Sequence, residues 1–112
     1  MMKEGDVILT PVPQADGTVK TRSAVILREM PRYKDFLVCG VSTQLRQRVK
    51  DFDEVISPSD PDFPSSGLKS ESLVRLGFLA VLPSSRIAGS IGSIAAARHK
   101  KLLKTLGDYL VR

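Results

Sequence analysis

The sequence holds no tryptophan, and cysteine and histidine occur once each, at Cys39 and His99. One cysteine cannot close an internal disulfide. Its place inside the apolar run "FLVCGVS" reads as an inert core position, since a reactive thiol needs a basic, partly exposed setting. One histidine excludes a histidine pair for acid–base work within the chain, and no Cys/His set has the spacing of a zinc site. His99 falls on or beside the apolar stripe of a C-terminal helix, which is a structural position. A glycine-rich phosphate loop is missing too, because "GSIGS" lacks the lysine and the spacing. No apolar run approaches the ~20 residues of a membrane helix, and "MMKEGDVILT" has no long apolar core of the signal-peptide kind. The expectation is therefore a cytoplasmic protein with no membrane contact, no metal and no other cofactor. The acidic pair Asp60 and Asp62 lies among prolines and reads as a solvated loop rather than a metal site.

What is present is ordinary in amount and uneven in sign. The 112 residues fit one domain spanning 1–112. Hydrophobic residues make up 42% and charged residues 26%, which suits a globular core. Seventeen basic against twelve acidic residues leave a net charge of +5, a balance that favours polyanions such as nucleic acid, or an acidic protein partner.

Short strands dominate the pattern. "DVILTPV" reads as a first strand ended by Pro11 and Pro13, with an Asp16-Gly17 turn after it. "SAVILR", Ser23 to Arg28, is a second strand. "FLVCGVS", Phe36 to Ser42, is a third, and its unbroken apolar run predicts burial on both faces. "FDEVI", "LVRLGFLAVL" and "GSIGSI" are further strands, Gly77 marking a bulge in the second of these. "SPSDPDFPSSG" is a loop by composition. From Ala95 to Leu110 the spacing of Leu102, Leu103, Leu106 and Leu110 is helical, with Ser93 as a cap and Arg98, Lys100, Lys101 and Lys104 along the polar side. The fold class is mainly β, a small barrel or strongly bent sheet with one C-terminal amphipathic helix.

Chemistry without histidine pairs or cysteine clusters falls to arginine and hydroxyl groups. Arg22 stands at the start of the second strand and Ser42 at the end of the third. In antiparallel neighbours those two ends meet at one rim. Thr43 and Gln44 extend that rim, Arg46, Arg48 and Lys50 continue it with positive charge, and Lys20 adds charge from the preceding loop. A guanidinium presents a planar fork to phosphate oxygens, and hydroxyl and amide groups add hydrogen bonds, so the rim suits a phosphodiester. Basic residues at strand ends are commonly solvated, and a solvated rim is the alternative that the pattern alone leaves open.

At these residues the sequence resembles the MazF/PemK family of toxin endoribonucleases. "GDVILTPVP", a loop and "TRSAVIL" are similar to the family's opening strand, loop and Arg-Pro strand. "VCGVSTQ" resembles its apolar strand ending in Ile-Thr-Ser/Ala-Gln, and "GLKSESLVRLGFLAVLPSSRIAGSIGSI" its later block before the terminal helix. The resemblance implies an SH3-like (MazF/CcdB-type) barrel and a homodimer. It implies metal-independent cleavage of single-stranded RNA to a 2′,3′-cyclic phosphate and a 5′-OH, and inhibition by a cognate antitoxin. It places the catalytic arginine on Arg22, the catalytic hydroxyl on Ser42 and a nearby glutamine on Gln44; Lys20, Thr43, Arg46 and Arg48 are the rim residues expected to bind RNA beside them. Three departures stand out. Ser42 replaces a threonine, Ser23 replaces the proline after the arginine, and Gly77, Phe78 and Ala80 occupy a stretch where members often carry an acid, a glutamine and an arginine. The alternatives are a non-catalytic barrel that binds RNA or protein, and a toxin acting on a protein target such as a topoisomerase.

Overall fold

Successive residues of a strand point to opposite sides of its sheet, and in this protein both sides are apolar along the central strands. The computed structural model describes residues 2–13 and 15–112. Among them, β1 (Asp6–Pro13), β2 (Val19–Glu29), β3 (Phe36–Ser42), β4 (Glu54–Ile56), β5 (Ser72–Leu82) and β6 (Gly89–Ser93) form one curled sheet. The order is β4-β5-β3-β2-β1-β6 and every neighbouring pair is antiparallel. One face carries Val7, Val25, Leu27, Cys39 and Val74 and packs against Leu102 and Leu106 of the long helix α2 (Ala96–Leu110). The opposite face carries Ile8, Ala24, Ile26, Phe36 and Val38, joined by Ile87. The predicted burial of β3 on both sides follows from this division. Cys39 is fully buried, and burial pushes its thiol up to about 12, as an inert core residue requires.

Several boundaries differ from those the sequence predicts. Pro11 and Pro13 do not end β1, which pairs with β2 as far as Pro13↔Val19. Past Leu9 the strand has left β6 and become an edge, where a missing N–H is tolerated. The polar segment before Ser23 is not a loop, so Lys20 and Arg22 lie within β2. Their hairpin closes through the expected turn, where an Asp16 Oδ1 oxygen accepts hydrogen bonds from the Thr18 N–H and hydroxyl at 3.0 and 2.6 Å. The supposed loop at 57–67 contains a one-turn helix, α1 (Phe63–Ser66), ended by Gly67 at φ 74°. A side chain there would meet the Ile91 carbonyl oxygen of β6 at 2.0 Å, so only glycine lets α1 lie this close to the sheet.

The largest correction concerns charge. Arg98 does not line the solvated side of α2, and Asp62 is not a solvated loop residue. The Arg98 side chain is 14% exposed and that of Asp62 is 6% exposed. The Arg98 guanidinium donates to Asp62 at 2.8 Å, to Asp60 at 3.0 Å, to Glu54 at 3.2 Å and to the Val55 carbonyl at 3.2 Å. Asp62 also accepts the Ala95 N–H at 3.0 Å and so caps α2 from a distance, the role expected of Ser93. Ser93 instead belongs to β6. His99 fixes the next position of the helix to the sheet: its Nε2–H donates to the Leu27 carbonyl at 2.7 Å.

Burial would raise the Asp62 carboxyl, but the hydrogen bonds from Arg98 and Ala95 and the charge of Arg98 outweigh it and hold the group below its ordinary 3.8. Two outcomes are expected. Arg98→Ala leaves Asp60 and Asp62 without their cation, Glu54 keeping Lys101 at 3.0 Å, and destabilises by about 3 kcal/mol, the scale of breaking a mostly buried pair, with Arg98→Lys in between; denaturant midpoints at constant slope measure both. Because the folded value of Asp62 is depressed, its contribution is complete above about pH 4 and is lost as pH falls through the folded value. The stability gap between the native protein and Asp62→Asn therefore narrows from pH 6 to pH 3, and a gap of constant size would show that the carboxylate charge is not what matters.

Candidate functional site

The central strands part at one end of the sheet. Pairing between β2 and β3 runs outward as far as Ala24↔Gly40. Beyond it, β2 continues as a ribbon with β1, from Ser23↔Leu9 to Val19↔Pro13. The end of β3 follows β5 instead, from Gly40↔Arg75 to Ser42↔Leu73. A cleft of about 620 Å³ opens in the fork, large enough for a nucleotide-sized group. Its walls come from the face opposite α2, since they include Ala24 and Val38 of the second apolar cluster.

Strand alternation explains which side chains reach it. Ala24 and Gly40 are opposite each other. Two residues farther out on each strand, on the same face, stand Arg22 and Ser42, and both line the cleft. Arg22 is exposed and Ser42 is half-buried. The Ser42 Oγ accepts the Gln44 N–H at 3.0 Å, which fixes the hydroxyl and leaves its proton free to donate. Gln44 also lines the cleft. Lys20 lies on the same face of β2 as Arg22, two residues nearer the hairpin tip and outside the cleft wall. Thr43, Arg46 and Arg48 do not reach the wall either. The chain turns away after Ser42 into a short 3-10 turn at Leu45–Gln47, and all three side chains are exposed there.

Two lining arginines, Arg75 and Arg86, escape sequence reasoning. Arg75 enters because β5 carries an insertion opposite β3. The register passes from Gly40↔Arg75 to Cys39↔Leu79, leaving Leu76, Gly77 and Phe78 as extra residues, a bulge around the predicted Gly77. An odd number of extra residues reverses the alternation, so Arg75 before the bulge and Phe78 and Ala80 in and after it all line the cleft. Arg86 arrives from the turn after β5, held to β1 by a hydrogen bond from the Thr10 hydroxyl to its carbonyl at 3.0 Å. The signal that finds them is the bulge itself, followed through to its effect on facing.

The electrostatics are one-sided. Among the described residues Arg22, Arg75 and Arg86 line the cleft, and no aspartate or glutamate does. Among the described residues none of the three arginines makes an ion pair, whereas Arg28 and Arg98 do. Such a surface is complementary to an anion with several charges, and Arg22 and Ser42 bring a guanidinium fork and a hydroxyl donor to it.

Solved structures of the same fold carry the comparison further. The chain is similar to the toxin MazF-mt6 of Mycobacterium tuberculosis, at TM-score 0.67 and 18% identity over 95% of this chain and 96% of the other. It is also similar to a mycobacterial endoribonuclease solved in complex with its cognate antitoxin, at TM-score 0.70 and 16% identity over 99% and 96% of the two chains. No curated protein sequence matches it significantly. The model of the PemK-like, MazF-like toxins of type II toxin–antitoxin systems matches residues 3–110, and the chain belongs to that family.

Proposed function

We propose that this toxin is an endoribonuclease that cleaves single-stranded RNA without a metal ion, with Arg22 and Ser42 at the scissile phosphate. The observation that carries the reading is the acid-free cleft with three unpaired guanidinium groups, one of them set across a fork from a fixed hydroxyl.

RNA brings its own nucleophile. The 2′ oxygen attacks the adjacent phosphorus, the bond from phosphorus to the 5′ oxygen breaks, and the products are a 2′,3′-cyclic phosphate and a 5′-OH. The 2′ hydroxyl gives up a proton and the leaving oxygen gains one. Negative charge grows on the two non-bridging oxygens as the phosphorane forms. Arg22 donates to those oxygens in a fixed plane, a stabilisation worth most where donors are set beforehand. Arginine keeps its proton, so Arg22 is a charge stabiliser and not the base. Ser42 donates its free proton to the same phosphate and holds it in line. Arg75 and Arg86 bind flanking phosphates. The same positive cleft suits an acidic segment of a cognate antitoxin. A homodimer is supported by Leu79 and Val81, which alternate with cleft-lining Ala80 and Leu82 and are 39% and 53% exposed although apolar.

Incubating the protein with mixed-sequence RNA in EDTA is expected to yield fragments ending in a cyclic phosphate. Arg22→Ala is expected to slow cleavage at least ~10²-fold with the fold intact, the loss of one transition-state donor, and Ser42→Thr to retain activity. Binding without any cleavage would point to a non-catalytic RNA-binding module. Affinity for a single strand is expected to fall with salt, and Arg22→Ala to reduce the slope of log K against log salt by roughly 0.7, one phosphate contact. An unchanged slope would remove Arg22 from the phosphate.

A further inference from the structure

We propose that Phe78 is a stacking platform for one unpaired base, beside the scissile phosphate, so that this part of the cleft reads the face of a base and not its edge. The inference rests on the ribonuclease reading above and adds a base-binding residue to it.

Four observations meet at this ring. Phe78 is 54% exposed, whereas Phe36 in the neighbouring strand is 5% exposed, so the ring is not a core residue that the cleft happens to graze. It is held on two sides. The Arg75 guanidinium carbon lies over the ring, 5.8 Å from its centre. The ring also packs on Gly40, where an added Cβ would come within 2.8 Å of the Phe78 Cδ2 carbon. An aromatic fixed in place before binding loses little freedom when a ligand arrives. Besides Arg75, the wall beyond the bulge is apolar: Val38, Ala80 and Leu82 line it. A base lodged there meets apolar and aromatic surface, and stacking is the contact such a surface makes. The polar groups sit at the other end, with Arg22, Ser42 and Gln44. Gly40 is two residues from Ser42, about 7 Å along the strand, so the stacked base belongs to a nucleotide flanking the cleaved bond. Stacking tolerates any base, because each has a π-face. The toxin therefore requires a base at this position without choosing which one.

The test uses short 2′-O-methyl oligoribonucleotides, which lack the nucleophile and stay intact, with binding read by fluorescence anisotropy. Phe78→Leu keeps the bulk and removes the π-face, and it is expected to weaken binding roughly tenfold, within the range of one base–aromatic stack. Phe78→Tyr is expected to bind as the native protein does. Gly40→Ala, which displaces the ring without altering it, is expected to behave like Phe78→Leu. Walking an abasic position along the oligonucleotide is expected to cost the native protein a similar factor at one position, and to cost Phe78→Leu nothing further there. Binding by Phe78→Leu within twofold of native, or an equal abasic loss in both proteins, overturns the platform. If that happens while the native protein cleaves RNA and Arg22→Ala does not, the ribonuclease reading stands alone. A native protein that neither binds nor cleaves any single strand overturns both.

Discussion

The Arg98 guanidinium joins the two halves of this fold. It gathers Glu54 of β4 and Asp60 and Asp62 of the loop that follows, and through Asp62 it also fixes the start of α2. With α2 seated there, Leu102 and Leu106 complete one apolar face of the sheet, and the opposite face is left to open into the cleft. Three carboxylates in one place would repel one another without the cation between them. With it they form a network that is largely sheltered from water, where each charge matters more than it would at the surface.

The network also shapes the electrostatics of the other face. The chain has seventeen basic and twelve acidic residues, and an even scattering would put carboxylates beside the cleft. Instead three acids are collected around Arg98, Asp53 accepts the Val49 and Leu76 N–H groups, and Asp6 and Glu4 pair with Lys3 and Arg28. The arginines at the fork keep no such partners among the described residues. A modest overall charge thereby becomes a strong local one, and a low-dielectric cleft wall enlarges its effect on a polyanion.

Period-two patterning made β1, β2, β3 and the burial of "FLVCGVS" legible in the sequence, together with the strand ends from which Arg22 and Ser42 line the cleft. What stayed hidden depends on contacts between distant residues. Arg98 lies on the polar side of a helical pattern, and its acids lie 36 to 44 residues away, so nothing local marks it as enclosed. Asp60 and Asp62 have the composition of a loop, and only the packing of α1 and α2 closes over them. Lys20 looked like a loop residue because the hairpin of β1 and β2 extends beyond the sheet as a ribbon. Ribbon residues are polar on both sides and lose the alternation by which strands are recognised. Arg75 and Arg86 required knowing how many residues the bulge holds, since the alternation reverses with an odd insertion and not with an even one.

That same bulge accounts for what the family resemblance left uneven. Where related sequences often carry an acid, a glutamine and an arginine, this chain has Gly77, Phe78 and Ala80, which removes charge and hydrogen-bonding groups from the strand. The cleft is still cationic, because the bulge turns Arg75 inward ahead of it and the following turn delivers Arg86. Beside these arginines the wall carries an exposed aromatic ring and small apolar side chains. On the proposed reading such an arrangement divides two tasks, guanidinium groups for the phosphates and the apolar end for a base.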